Sequence, residues 1–296
     1  MPKKIDLELE ITEEKIAAML ESAGKELEHH EALDFSGFNF EAIRQSIAEA
    51  KVSQYLPSRE GKVPKLPETS ESGEIVFDMG PASISIPASY APYVRYVHEV
   101  FGTPSDEADV EFGVALKYFH TLRQWVGNLP GTLRDQIGDF LRNAGEVQDE
   151  MERRMESYAD VMADDPNFEV VAHVPYMYAY LCRLMVDPGV PAEVKVDIAM
   201  GIVYFASPVD VLPEAFIDHP LAFADDACVA LWVLKDLEGN VVTKETIEEN
   251  WPGEAPLPAS TEVWEKPLRE LLGEDLVDAV NTYFALKRGR RTIGPR

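Results

Sequence analysis

Basic residues are scarce in this chain. Lysine and arginine together number 27, against 53 aspartates and glutamates, so the formal net charge is −26 at pH 7. Binding to nucleic acid or to an anionic membrane needs clustered basic side chains that neutralise phosphate groups. We therefore expect no nucleic-acid partner, and we interpret most of the acidic residues as a solvated surface.

Cysteine is rare, and long apolar runs are missing. Cys182 and Cys228 stand within the apolar segments AYLCRLM and DACVALW, which predicts small buried side chains in a reducing compartment. A disulfide between them stays open, whereas no Cys/His spacing indicates zinc. No run of about 18 uncharged apolar residues occurs, and residues 1–15 contain no apolar segment typical of a signal peptide. These features predict a soluble, cytoplasmic protein with no transmembrane segment.

Familiar catalytic motifs are also missing. The sequence contains no Gly-rich phosphate loop, no GxSxG, no HExxH and no convincing Ser/His/Asp or Cys/His set. His98, His120 and His173 stand singly among aromatic residues, which favours packing or capping over ligand binding. The sequence therefore favours binding over catalysis.

Helical periodicity dominates what is present. The apolar spacing predicts a mostly α multi-helix bundle with one small β-hairpin at about 74–87, where EIVFDM and ASISIP flank Gly80-Pro81. Thr12 is the predicted N-cap of the first helix. The helix at 191–206 is apolar on all sides and is predicted to lie in the core. The predicted helices are 12–28, 40–52, 89–101, 106–127, 130–163, 166–186, 191–206, 223–237 and 262–287.

Composition shifts divide the chain. The segment 53–73 is rich in proline, serine, glycine and charge, which is typical of a linker. The predicted units are an N-terminal helical arm (1–52), the linker (53–73), a hairpin with helices (74–165), a helical domain (166–240), and a connector with an amphipathic helix and a basic tail (241–296).

The most distinctive stretch runs from Tyr204 to Asp226. Ser207 is a candidate N-cap, with Pro208 at the first helical position and Asp210 at the third. Pro213 limits that turn. Further along, Asp218, His219 and Pro220 predict a second turn, and Asp225-Asp226 open the next helix, where free N–H groups favour carboxylates.

This stretch resembles the YkvA-like domain family, a small bacterial helical domain of unknown function. The resemblance covers about residues 170–238, and Leu184, Asp187, Pro188 and Val190 resemble the family's approach to the motif. The matching positions of the motif are Tyr204, Pro208, Asp210, Leu212, Pro213, Asp225 and Asp226. Glu214 stands where the family usually has aspartate, and DHPLAFA replaces a glycine-containing loop. The resemblance implies a helical fold and no established activity.

These observations first predict a non-catalytic interaction or scaffold protein with an unidentified protein partner. The amphipathic helix at 262–287 and the cations that follow it offer a docking surface. The candidate partner-binding residues are Lys287, Arg288, Arg290 and Arg291.

The first alternative is a divalent-metal site, with hydrolytic chemistry at a metal-bound water. Asp210, Asp225 and Asp226 are the predicted ligands, with Glu214, Asp218 and His219 nearby in sequence. Carboxylate oxygens suit Mg²⁺, Ca²⁺ or Mn²⁺. Helix capping explains the same acids without an ion and is favoured by the sequence.

The second alternative is peripheral membrane association through residues 262–296. A basic tail beside an amphipathic helix suits an anionic surface. The helix itself carries six acids, which argues against this alternative. They are Glu262, Glu265, Glu270, Glu274, Asp275 and Asp278.

Overall fold

The structure, a computed structural model, is mostly helical over the residues it describes. These are residues 11–30, 39–50, 53, 74–78, 83–87, 93, 96, 100, 132–206, 210–212, 214, 217, 219–238, 242–252 and 261–289. Of these, residues 74–78, 83–87, 238 and 283–289 are described only as backbone. The predicted linker, apart from Ser53, and the predicted helix at 106–127 lie outside this set. The predicted division into units stays a prediction.

Eleven α-helices are found among the described residues. They are α1 (Glu13–Glu28), α2 (Phe40–Glu49), α3 (Leu133–Arg142), α4 (Ala144–Ser157), α5 (Ala159–Asp164), α6 (Val174–Val186), α7 (Ala192–Phe205), α8 (Ala224–Glu238), α9 (Lys244–Asn250), α10 (Glu262–Leu272) and α11 (Glu274–Gly289). Short 3-10 turns lie at Pro166–Glu169, Val171–His173 and Pro220–Phe223. Tyr93, Tyr96 and Val100 also have helical backbone.

Two short strands accompany the helices. β1 (Glu74–Asp78) pairs antiparallel with β2 (Ser83–Pro87), with Val76 opposite Ser85. The turn predicted at Gly80-Pro81 lies outside the described residues, so the complete hairpin stays a prediction.

The first helix begins where the sequence predicts. The Thr12 side chain accepts a hydrogen bond from the Lys15 amide, and Glu13 and Glu14 occupy the first turn. A polar N-cap and early acids both satisfy free N–H groups. On its buried side α1 packs against α3, α6 and α7, which joins the N-terminal helix to the common core.

The single helix predicted at 130–163 is wrong. Three helices replace it, with breaks at Asn143 and Tyr158. The first of them begins at Leu133 rather than at Pro130, because Thr132 and Asp135 form a reciprocal capping box. Such a pair satisfies two N–H groups at the helix start and fixes where it begins.

The core is built around α6, α7 and α8, as the apolar pattern of 191–206 predicts. Helix α7 contacts α1, α3, α6 and α8, and Ile198, Ile202 and Tyr204 are fully buried. Gly201 permits close packing, because an added Cβ would lie 3.2 Å from Leu181 on α6 and 3.3 Å from Val233 on α8.

The single amphipathic helix predicted at 262–287 is also wrong. It divides into α10 and α11 at Gly273, whose φ of 85° lies in the left-handed region that glycine adopts without steric cost. The apolar face of the two helices is buried at Leu268, Leu271, Leu272, Leu276 and Val280. Val263 is 64% exposed, whereas its neighbour Trp264 is buried, so Trp264 rather than Val263 lies on the buried face of α10.

Both cysteines are free and buried, as small core side chains. Burial raises the pKa of the Cys182 and Cys228 thiols to about 12. None of the described helices combines the length and the apolar composition needed to cross a membrane.

Candidate metal centre

The loop that carries Asp210 is held from outside the predicted motif. The Tyr93 hydroxyl donates to the Asp210 carbonyl at 3.0 Å, and the Tyr96 hydroxyl donates to the Val211 carbonyl. Phe40 of α2 stacks on the Tyr96 ring at 5.0 Å and meets the Tyr93 ring edge-on at 5.6 Å. Aromatic packing thus fixes both hydroxyls, which in turn fix the loop backbone.

Asp225, in the first turn of α8, holds the same loop from the inside. Its Oδ2 accepts from the Tyr204 hydroxyl at 2.8 Å and from the Leu212 amide at 3.0 Å. The Tyr204 hydroxyl also accepts from the Val211 amide at 3.3 Å. This network joins the end of α7, the loop and the start of α8, and it gives Asp225 a structural task.

Three other carboxylates converge beside this network. Oxygen atoms of Asp210, Glu214 and Asp226 all lie within 4.8 Å of one another. Asp210 and Asp226 have 0% exposure, and Glu214 is half-buried. Both carboxylate oxygens of Asp210 and both of Asp226 lack a hydrogen-bond partner among the described residues. Asp225 Oδ1 is likewise buried without a partner among the described residues. Asp210 and Asp226 thus each bring at least one unpartnered oxygen to the space that they share with Glu214.

Burial changes the protonation of the whole group. Desolvation, followed by the charges of Asp225, Glu214 and Asp226, raises the pKa of Asp210 well above its ordinary value. Desolvation likewise raises the pKa of Asp226, and Glu214 and Asp225 add to the rise.

At the other two carboxylates, nearby hydrogen-bond donors or a positive charge oppose the rise in pKa. Burial raises the pKa of Glu214 to about 8, although Arg154 of α4 works to lower it. Burial raises the pKa of Asp225 only to about 6, because the Tyr204 hydroxyl and the Leu212 amide stabilise its charged form. Two states relieve such a cluster: protonation or a bound cation.

The clustered acids differ from the predicted set by one residue. Asp210 and Asp226 lie together as predicted, but Glu214 takes the third place and Asp225 faces Tyr204 and Leu212. Asp210 lies in a bend, and the capping predicted for it involves Ser207, which lies outside the described residues.

The remaining predicted residues lie elsewhere or outside the described part. The His219 Nδ1 accepts from the Leu221 amide at 3.2 Å and caps the 3-10 turn at Pro220–Phe223. This agrees with the turn predicted at His219 and Pro220. Ser207, Pro208, Pro213, Asp218, Arg290 and Arg291 lie outside the described residues, and Lys287 and Arg288 are described as backbone of α11.

Sequence reasoning missed Tyr93 and Tyr96. Their spacing of three residues in SYAPYVRYV places them on one helical face, and it predicts packing. Their hydroxyl groups donate hydrogen bonds to a loop more than a hundred residues further along the chain. Only the tertiary structure reveals these bonds.

Comparison with known proteins adds no identity. No protein-family model matches the chain, no curated protein matches it, and no solved structure matches it. The YkvA-like resemblance thus stays a prediction that rests on the motif residues.

Proposed function

We propose that this protein binds a divalent metal ion through Asp210, Glu214 and Asp226. The observation that carries the proposal is the set of four buried oxygen atoms, on Asp210 and Asp226, without a hydrogen-bond donor. Buried polar atoms are almost always satisfied by protein, water or an ion. A cation in the shared space gives both aspartates a partner and offsets the repulsion between the carboxylates.

The ligand chemistry favours a hard ion. Carboxylate oxygens bind Ca²⁺ at about 2.3–2.6 Å and Mg²⁺ at about 2.0–2.1 Å, so one ion can bridge oxygens that lie within 4.8 Å of one another. Mg²⁺ retains several waters, whereas Ca²⁺ accepts a shell built largely from protein oxygens. The burial of both aspartates therefore favours Ca²⁺.

The proposed ion is structural rather than hydrolytic. Asp210 and Asp226 have no exposed surface, which leaves a substrate no access to an ion between them. The ion connects the loop at 210–214 to the first turn of α8, parallel to the Asp225 network. This role keeps the protein non-catalytic and leaves a YkvA-like domain at 170–238 and a docking role for the basic tail as predictions.

Thermal unfolding of chelator-treated protein tests the proposal. Ca²⁺ at about 100 times its Kd should stabilise the wild type by roughly 2.7 kcal/mol, with a smaller effect of Mg²⁺. Asp226→Asn keeps the shape of the side chain and removes a charge, so we expect it to lose the Ca²⁺ effect. Without ions and at neutral pH the same variant should be at least as stable as the wild type, because it removes a buried charge.

Asp160→Asn is the matched control. Asp160 also lies in the first turn of a helix, α5, but it is exposed, and the variant should keep the full Ca²⁺ effect. A wild type that no divalent ion stabilises would overturn the proposal, and so would an Asp226→Asn variant that responds like the wild type. Either result would leave a protonated carboxylate cluster.

A further inference from the structure

A second polar feature lies in a cavity of about 750 Å³ between α1, the turn from α6 to α7, and α9. Its walls include Met19 from α1, Arg183 and Val186 from α6, Lys195 from α7 and Asn250 from α9. This volume lies within the range of small-molecule sites, about 300–1,000 Å³. Both apolar side chains and charged groups reach it.

Lys195 is the unusual residue of this cavity. It is 2% exposed, and among the described residues it has no hydrogen-bond or ion-pair partner for its ammonium group. It also lies in the first turns of α7, which begins at Ala192, where the helix dipole disfavours a cation. A buried lysine without a partner costs free energy that a structural role does not explain.

Arg183 adds a second cation at the same cavity. It is half-buried in the last turn of α6, and among the described residues its guanidinium has no ion-pair partner either. Desolvation lowers the pKa of both side chains, and at Lys195 the charge of Asp187 offsets this only in part. The dipole at the C-terminal end of α6 favours a cation, which partly explains the position of Arg183. No such effect favours Lys195.

Three acids also line the cavity, and among the described residues none of them forms a hydrogen bond or an ion pair with Lys195. The Asp187 carboxylate accepts from the Gly189 amide and from Asn250 Nδ2, both at 2.7 Å, and its charge raises the pKa of Lys195 only against the larger effect of burial. Glu14 is exposed, and hydrogen bonds from its own backbone amide and from Thr12 lower its pKa. Glu249 is exposed as well.

We propose that this cavity binds a small molecule with one anionic group, a carboxylate or a phosphate, attached to an apolar body. The anionic group pairs with Lys195 and Arg183 and lies near the N-terminal end of α7, where the dipole favours negative charge. The apolar body contacts Met19 and Val186. Lysine supplies a point charge and arginine a planar pair of donors, a combination that suits either head group.

Calorimetric titration and thermal unfolding with hexanoate, hexyl phosphate and hexanol test this site. The buffer contains a chelator, so the carboxylate cluster at Asp210 does not contribute. We expect one or both anions to bind the wild type and raise its Tm, and hexanol to have little effect. Whichever anion binds more tightly distinguishes a carboxylate ligand from a phosphate ligand.

Lys195→Met preserves the apolar stem and removes the charge. We expect at least tenfold weaker anion binding, with a ligand-free Tm equal to or above that of the wild type because an unpaired buried charge is gone. Arg183→Met should weaken binding in the same direction and serves as a second variant. Lys266→Met is the control, since Lys266 is 83% exposed on α10, and it should bind as the wild type does.

Three results would overturn the proposal. The first is a wild type that neither anion stabilises. The second is equal binding of hexanol, which would make the charge irrelevant. The third is a Lys195→Met variant that folds and binds the anions with wild-type affinity.

Discussion

The protein arranges acidic side chains in two opposite ways. At the surface of α10 and α11, Arg269 contacts Glu265 at 2.8 Å and Asp278 at 3.0 Å, and it also pairs with Glu274. In the interior, Asp210 and Asp226 face Glu214 with no cation within hydrogen-bond distance among the described residues. One group of acids is matched by positive charge, and the other is left with its charge uncompensated.

The protonation of two glutamates shows what this difference means. A hydrogen bond from Lys235, with help from Arg269, lowers the pKa of Glu265 despite its partial burial. Burial raises the pKa of Glu214 to about 8. The same side chain is thus driven toward its charged form in one region and toward a proton or a metal ion in the other. The partner, and not the residue type, decides which.

The largest expected effect is a pH dependence of the free energy of unfolding in the presence of a chelator. Glu214 and Asp225, with pKa values raised from 4.5 to about 8 and from 3.8 to about 6, hold protons in the folded state that the unfolded chain has lost. Stability should therefore fall as pH rises from about 4 to about 8, with a slope of about 1.4 kcal/mol per pH unit for each excess proton. Urea unfolding at several pH values measures it.

Two comparisons isolate the interior contribution to that slope. Saturating Ca²⁺ should flatten the decline, because the ion replaces the protons, and Glu214→Gln should reduce it without an ion. Asp160→Asn should leave it unchanged, which separates the cluster from general repulsion in an acidic chain. A chelated wild type whose stability is constant or rises between pH 5 and 8 would contradict the raised pKa values.

The second prediction concerns the network that separates Asp225 from the metal ligands. Asp225→Ala removes the acceptor of the Tyr204 hydroxyl and of the Leu212 amide. Two buried donors without an acceptor cost about 1–3 kcal/mol each, so we expect a loss of about 2–6 kcal/mol in denaturant unfolding. The loss should persist with and without Ca²⁺; a loss that Ca²⁺ fully restores would instead place Asp225 among the ligands.

Tyr204→Phe is a smaller change in the same network. It removes the hydroxyl that joins Asp225 to the Val211 amide and should cost about 1.5–3 kcal/mol, the scale of a hydrogen bond to a charged group. A double-mutant cycle with Asp225→Ala measures the coupling. Additive losses from the two variants would show that the two side chains do not act together.

The smallest effect belongs to the surface group. Glu265→Gln removes the carboxylate shared by Lys235 and Arg269. Glu265 and Arg269 are half-buried but reach solvent, and ion pairs at the surface contribute about 0.2–1 kcal/mol. The loss should shrink further in 1 M salt, where screening is strong. A larger loss that does not depend on salt would mean that this group behaves like the interior one.

Several features could be predicted from the sequence for clear physical reasons. Thr12 marks a helix start because its hydroxyl caps local amides, and the apolar residues around the axis of 191–206 predict a buried helix. Asp210 and Asp226 could be paired by their closeness in sequence. By contrast, the breaks at Asn143 and Gly273 were missed, because periodicity continues across a short turn.

The sequence by itself determined the helical class, the buried centre and the concentration of acids between residues 210 and 226, since these depend on periodicity, hydrophobicity and composition. Only the tertiary structure decided which acids meet. Asp225 and Asp226 are neighbours in the chain, yet the first faces Tyr204 and the second faces Asp210 and Glu214, because successive residues of a helix point in different directions. The same limit applies to Lys195, whose burial beside Arg183 follows from the packing of α1 against α6 and α7.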